Sequence, residues 1–204
     1  MKNNIPGTKG YAQAKQQFID ATLAIDFWEL HKDFVPFFPK KPSHILDVGA
    51  GIGRDAFEFS QIGHSVVAVE PSQELRSAGK QLYDSPAIQW LDDALPELKK
   101  LEKTPVSYDF VLASGVWHHL TPKEQKTALQ RISLLMAPNA IFALTLRNGP
   151  AGAGLHVFPT NGKEMITNAL EYGLTVLLSL ENQPSLMKNK TQVTWTKLVF
   201  QKQE

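Results

Sequence analysis

The sequence contains no cysteine, which excludes disulfides, zinc–thiolate centres and thiol catalysis. No fully apolar run exceeds a few residues, far short of the roughly 20 that a membrane-spanning helix needs. Met1-Lys2-Asn3-Asn4 begins no apolar signal segment, so the expectation is a soluble, cytoplasmic protein. An excess of either charge is missing too: 21 Lys plus Arg stand against 20 Asp plus Glu, without a long block of one sign. The basic footprint of a nucleic-acid binder is therefore lacking, and a small or neutral partner is expected. Nothing in the composition fixes an oligomeric state. Repeats and low-complexity stretches are absent, and the 13 glycines and 13 prolines fall as punctuation between periodic segments.

What is present is enough for one domain spanning 1–204, since 204 residues at 43% hydrophobic content can bury a sizeable core. Short runs rich in aliphatic and β-branched residues read as strands at His44–Val48, Ser65–Glu70, Ile88–Leu91, Asp109–Ser114, Ala140–Arg147, Thr175–Glu181 and Thr194–Gln201. Helical spacing fills the gaps between the first six. That alternation predicts a doubly wound α/β core over 40–204, with a seven-stranded, mainly parallel sheet. The polar connection from Asn182 to Val193 holds no helix, so the seventh strand should run antiparallel to the sixth. Thr121-Pro122-Lys123-Glu124 is a capping box with proline at the first helical position; Ala128, Leu129, Ile132, Leu135 and Met136 follow on one face before Pro138. Tyr11 to Phe34 reads as one or two helices bearing Phe18, Leu23, Phe27, Trp28 and Leu30, a cap within residues 1–39 that packs on the core.

The segment "ILDVGAGIGRDAFEF", residues 45–59, runs from a strand through three glycines into a helix. Such a loop is expected to present unpartnered backbone N–H groups at the positive end of a helix dipole to a polar cofactor. Two cofactors compete. Gly51-Ile52-Gly53-Arg54-Asp55-Ala56 fits the dinucleotide pattern, with Glu70 at the distance of a ribose-binding acid, which would make a nicotinamide-dependent oxidoreductase. Asp47 just ahead of the glycines suits a cationic ammonium group better, because it would repel a pyrophosphate.

At this point the sequence resembles the class I S-adenosylmethionine-dependent methyltransferases over residues 40–204. "LDVGAGIGRDA" is similar to that family's first motif, "VVAVEPS" (66–72) to its ribose-binding strand and turn, and "WLDDALPEL" (90–98) to its adenine-side acidic motif. "YDFVLASGVWHHL" (108–120) and "LLMAPNAIFALTLR" resemble the fourth strand with its loop and the helix, turn and fifth strand that follow. The resemblance implies a Rossmann-like methyltransferase fold with a reversed last strand, and S-adenosylmethionine as cofactor. It implies that Gly49, Ala50, Gly51 and Gly53 approach the methionine part, with Asp47 near its amino group; Arg54 is open to pairing with Asp55, with the cofactor carboxylate or with water. It places Glu70 and Pro71 at the ribose, Asp92 or Asp93 with Ala94 at the adenine, and Ser114 where the fourth strand ends. Asn139 stands where the family commonly has glycine, in a turn that needs a left-handed residue.

Methyl transfer from a sulfonium is an in-line displacement, for which the protein aligns the reactants and excludes water. A base is needed only where the acceptor must lose a proton. Trp117, His118 and His119 follow the fourth strand at the reacting end. Either imidazole is a candidate base near neutral pH, and Trp117 a candidate wall for a planar acceptor. No metal site is expected, because adjacent histidines point apart and no third ligand is evident. Arg147 and His156 flank the candidate lid "NGPAGAG", Arg147 as a possible grip for an acidic substrate. Tyr11, Trp28 and His31 are candidates to roof the pocket. The reading is a methyltransferase acting on a small molecule; the alternatives are the oxidoreductase and a non-catalytic S-adenosylmethionine-binding module.

Overall fold

A computed structural model of the chain describes residues 5–103, 107–187 and 189–204; Met1 to Asn4, the expected non-signal start, lie outside them. Seven strands form one sheet: β1 His44–Val48, β2 Ser65–Val69, β3 Ile88–Leu91, β4 Tyr108–Ala113, β5 Met136–Asn148, β6 Leu174–Pro184 and β7 Thr194–Lys202. Their order is β3-β2-β1-β4-β5-β7-β6. The pairs from β3 to β5 are parallel, whereas β7 lies between β5 and β6 and is antiparallel to both. The expected doubly wound sheet with one reversed strand is thus the observed one.

Six α-helices are described: α1 Lys15–Leu23, α2 Phe27–His31, α3 Arg54–Gln61, α4 Gln73–Leu82, α5 Pro122–Leu135 and α6 Gly162–Glu171. The central strands are buried on both faces, which is why β1 and β4 read as nearly continuous apolar runs. Alternate residues serve opposite layers. Leu46, Val48, Val111 and Ala113 pack with Ala128, Leu129 and Ile132 of α5 and with Met165 and Ala169 of α6. Ile45, Phe110 and Leu112 pack with Phe27, Phe34, Phe38 and Phe59, so the aromatic cap closes the other face.

The N-terminal cap is fixed by polar ties as well as by apolar burial. Buried His31 of α2 lies 2.9 Å from Asp55 of α3, and Lys197 of β7 reaches both the Leu30 carbonyl at 3.0 Å and Asp33 at 2.7 Å. At the start of α5 the capping box forms in both directions between Thr121 and Glu124. Its end differs from the expectation: Met136 is already extended, caps the helix by donating its N–H to Ile132, and begins β5, so no separate turn precedes the strand at Ala140. Asn139 does adopt the left-handed conformation, with φ of 63°. Among the described residues, no helix is long and apolar enough to cross a membrane.

Candidate active site

A cavity of about 840 Å³ opens at the carboxyl ends of β1, β2, β4 and β5, where the strand order reverses direction around β1 and β4. This crevice is where open α/β sheets bind ligands. Asp47, Gly49, Ala50, Gly51, Arg54, Glu70, Pro71, Asp93, Ala94 and Ser114 line one part of it. Tyr11, His118, His119, Arg147 and His156 line the rest.

The glycine loop departs from expectation in an instructive way. Gly49 and Ala50 donate their N–H groups to the Val69 carbonyl at 2.9 and 3.0 Å, Gly51 donates to Glu70 Oε2 at 2.8 Å, and Gly53 donates to Ala50 at 2.8 Å. These four N–H groups are satisfied within the protein and are not free for a pyrophosphate. Gly53 is not in the cavity wall: its φ of 80° starts α3, and a Cβ there would stand 2.5 Å from the Trp90 ring. Its role is close packing, where the sequence reading put it at the cofactor.

Three carboxylates remain on the cofactor side. Asp47 is 2% exposed, its Oδ2 has no partner, and burial followed by the nearby Asp55 pushes its pKa well above the usual range. The Ala56 N–H and the Arg54 charge oppose that rise. An ammonium group is a chemically suitable partner for this orphaned oxygen. Glu70 accepts from Gly51 on one oxygen and from Ser72 at 2.7 Å on the other, leaving a lone pair on each for a vicinal diol. Burial pushes Glu70 up to about 7 despite those two donors. Asp93 lines the cavity and accepts from the N–H groups of Ala94 and Lys100, whereas Asp92 is exposed and pairs with Arg76 at 3.3 Å and Lys100 at 3.8 Å. Of the two candidate adenine acids, only Asp93 faces the space. Asp47, Glu70 and Asp93 thus line one cavity, with an unpartnered oxygen on Asp47 and spare acceptor capacity on Glu70.

Arg54 is committed to structure. It holds Asp55 at 2.7 Å and donates to the Thr22 and Ile25 carbonyls at the end of α1, fixing the cap above the glycine loop. Burial acts to raise Asp55, and His31 and Arg54 overcome it, holding that carboxyl below the ordinary range.

On the acceptor side, His119 Nδ1 lies 2.7 Å from the His156 carbonyl, an acceptor only, so this nitrogen carries the proton. Burial lowers the His119 pKa, the ring is neutral, and its Nε2 accepts from the Tyr11 hydroxyl at 2.9 Å. His118 Nδ1 is buried without a partner; burial, His119 and Arg147 push that imidazole down to about 2, outside the range of a base near neutral pH. Trp117 does not reach the cavity either. It is fully buried among core residues, and Val116 lines the wall in its place. Trp28 packs outward on Phe27 and Phe38, and His31 is enclosed with Asp55, so neither roofs the pocket. Phe18 and Tyr11 do, and Phe18 was carried in the sequence only by its helical spacing. The "NGPAGAG" stretch is held at its start, where Arg147 donates to the Pro150 carbonyl at 2.7 Å and Asn148 pairs with Thr160, and just beyond its end, where Leu155 donates to the Lys9 carbonyl at 2.8 Å. Lys190 and Trp195, also in the wall, come from the last connection and β7, which no motif marks. Among the described residues no group of three or more His, Asp or Glu could hold a metal ion.

Residues 45–139 match the family model of the methyltransferase domain. Over that segment, just under half of its length, the chain is similar to methyltransferases. An uncharacterized methyltransferase of Bacillus thuringiensis is 28% identical over 97 residues, 48% of this chain and 43% of the relative, so the match spans less than half the relative's length. The 1,6-didemethyltoxoflavin-N1-methyltransferase of Burkholderia thailandensis, solved with its substrate and S-adenosylhomocysteine, superposes with a TM-score of 0.71 at 19% identity, covering 95% of this chain and 86% of that one. A TehB-like S-adenosylmethionine-dependent methyltransferase of Corynebacterium glutamicum gives 0.68 at 20% identity over 95% and 98%. The first of these structural neighbours holds S-adenosylhomocysteine and the second is S-adenosylmethionine-dependent, and the carboxylates lining the present cavity fit such a ligand.

Proposed function

We propose that this chain transfers the methyl group of S-adenosylmethionine to a small-molecule acceptor held between the glycine loop and the Tyr11–His119 pair. The observation that carries this reading is the continuity of the cavity: about 840 Å³ runs from Asp47 and Glu70 to His118 and Arg147. That volume lies near the upper end of the roughly 300–1,000 Å³ common for small-ligand sites. When bound, S-adenosylmethionine supplies a methyl group on a positively charged sulfur, displaced in line by the acceptor.

The chain's own residues bind, orient and exclude water. Asp47, Glu70 and Asp93 hold the cofactor's polar ends. Phe18, which would touch a side chain at Gly51 at 3.2 Å, closes the space over the loop. Where the acceptor must lose a proton, Tyr11 Oη can accept it while passing its own to His119 Nε2, with the His156 carbonyl steadying the imidazole. The base is thereby His119 acting through Tyr11, and His118 stays neutral.

Conversion of S-adenosylmethionine to S-adenosylhomocysteine in the presence of pooled small hydroxy and amino compounds tests the reading. Product formation above the acceptor-free background is expected, and for a hydroxyl acceptor Tyr11→Phe should lower kcat by about a hundredfold or more with cofactor affinity kept. Tight cofactor binding with no turnover on any acceptor would instead favour the non-catalytic module.

A further inference from the structure

Cations in the cavity wall have acids beside them, with two exceptions. Arg54 holds Asp55, Lys32 holds Glu29 at 3.0 Å, and Lys197 holds Asp33 at 2.7 Å. Arg147 and Lys190 have no carboxylate within ion-pair distance among the described residues. Arg147 is only 8% exposed, and its guanidinium meets just two backbone carbonyls, Gly149 at 3.5 Å and Pro150 at 2.7 Å, which leaves N–H groups unused. Arg147 Nη2 and Lys190 Nζ each lie 4.0 Å from where a Cβ on Gly152 would stand, so the two charges flank one corner. His118, 6% exposed and with Nδ1 unpartnered, lines the same part of the cavity. Burial lowers the pKa of both cations, and Arg147 adds to the lowering at Lys190.

Two half-desolvated like charges without a counter-charge are unfavourable unless an anion joins them. The corner is also flanked by an aromatic wall: Trp195 stands opposite Arg147 in the β5–β7 register, and its ring approaches to 3.6 Å of where a Cβ on Gly115 would be. We infer that the methyl acceptor is a small molecule with an apolar, flat body and an oxyanion, a carboxylate or phosphate, which Arg147 and Lys190 grip. This rests on the methyltransferase reading for the word acceptor, whereas the oxyanion site itself does not. The corner is separate from the cofactor end, because Asp47 and Glu70 sit at β1 and β2 while Arg147 ends β5, with β4 between. On this placement the corner serves the acceptor and not the methionine carboxylate.

The test is equilibrium binding of benzoate, inorganic phosphate and uncharged benzamide at constant ionic strength. It is followed by calorimetry on wild-type protein, Arg147→Gln and Lys190→Gln, each with and without saturating S-adenosylhomocysteine. Benzoate or phosphate should bind wild type and benzamide should not; which of the two binds more tightly tells carboxylate from phosphate. Each substitution should weaken the oxyanion about tenfold or more, the loss expected for one charged hydrogen bond, with S-adenosylhomocysteine affinity unchanged within about twofold. Absence of oxyanion binding, or equal binding by wild type and variants, overturns the inference. So does a tenfold loss of S-adenosylhomocysteine affinity in Arg147→Gln, which would give the arginine to the cofactor. Lys190→Gln, at a half-buried position, decides the matter should Arg147→Gln fail to fold. Failure of S-adenosylhomocysteine to bind wild type would count against the methyltransferase reading alone.

Discussion

Single side chains at this site are tuned against their own comfort. Glu70 is pushed up to about 7 by burial, yet a ribose diol donates to, and so binds, its ionised form. Affinity for S-adenosylhomocysteine should therefore be full above about pH 7 and fall as the pH drops through that value, by up to about tenfold per unit. Glu70→Gln should bind weakly and lose that slope; isothermal titration from pH 5.5 to 8 measures both. Asp47 has the same sign of shift with no partner for Oδ2. A carboxyl whose folded-state pKa is raised destabilises the fold once it is ionised, at pH above its unfolded value. Asp47→Asn should thus raise ligand-free stability by on the order of 1 kcal/mol while weakening cofactor binding, a trade of stability for function. Urea denaturation with and without S-adenosylhomocysteine would expose a wrong assignment if both quantities moved in the same direction.

Among elements, the contact between α2 and α3 decides whether the cap stays over the loop. His31 and Asp55 are both buried, and Arg54 extends the network to the end of α1. Removing the imidazole leaves Asp55 with less of its compensation, so His31→Ala should cost about 3 kcal/mol of unfolding free energy in urea. Asp55 has a lowered folded-state pKa, so its contribution is present above about pH 4 and lost as the pH falls further. An unchanged midpoint in His31→Ala would show that the aromatic packing around Phe27 and Phe59 fixes the cap alone. Helical spacing in Tyr11 to Phe34 disclosed that a cap exists. Which of its residues turn inward was not legible, because Phe18 and Trp28 carry equally apolar signals and only the docking angle of α1 and α2 sends one to the cavity and the other outward.

For the molecule as a whole, the cavity couples cofactor to stability. At about 100 times the dissociation constant, a ligand bound only by the folded state adds roughly 2.7 kcal/mol, or about 5–10 °C for a domain of this size. S-adenosylhomocysteine should raise the melting temperature by that amount and NAD should not, since the N–H groups of Gly49, Ala50, Gly51 and Gly53 are already taken. A rise with NAD alone would reverse the cofactor assignment. The sheet order adds an independent reason: β7 is inserted in reverse between β5 and β6, where dinucleotide-binding sheets of the 3-2-1-4-5-6 order end on a parallel strand.

By itself the sequence determined the sheet, its reversed strand and the glycine turn, and it singled out Asp47 and Glu70, which line the cavity, because period, turn chemistry and short-range spacing are local properties of a chain. Tertiary structure alone decided that Asp93 rather than Asp92 faces the cavity, that Gly53 serves Trp90, and that Trp117 is core while Val116 is wall. It also brought Tyr11 to His119 across 108 positions and set Lys190 beside Arg147. Neighbours in sequence share composition and spacing, and a strand end or a helical turn sends adjacent side chains to opposite sides. Which side meets solvent, core or ligand is fixed only when distant elements pack.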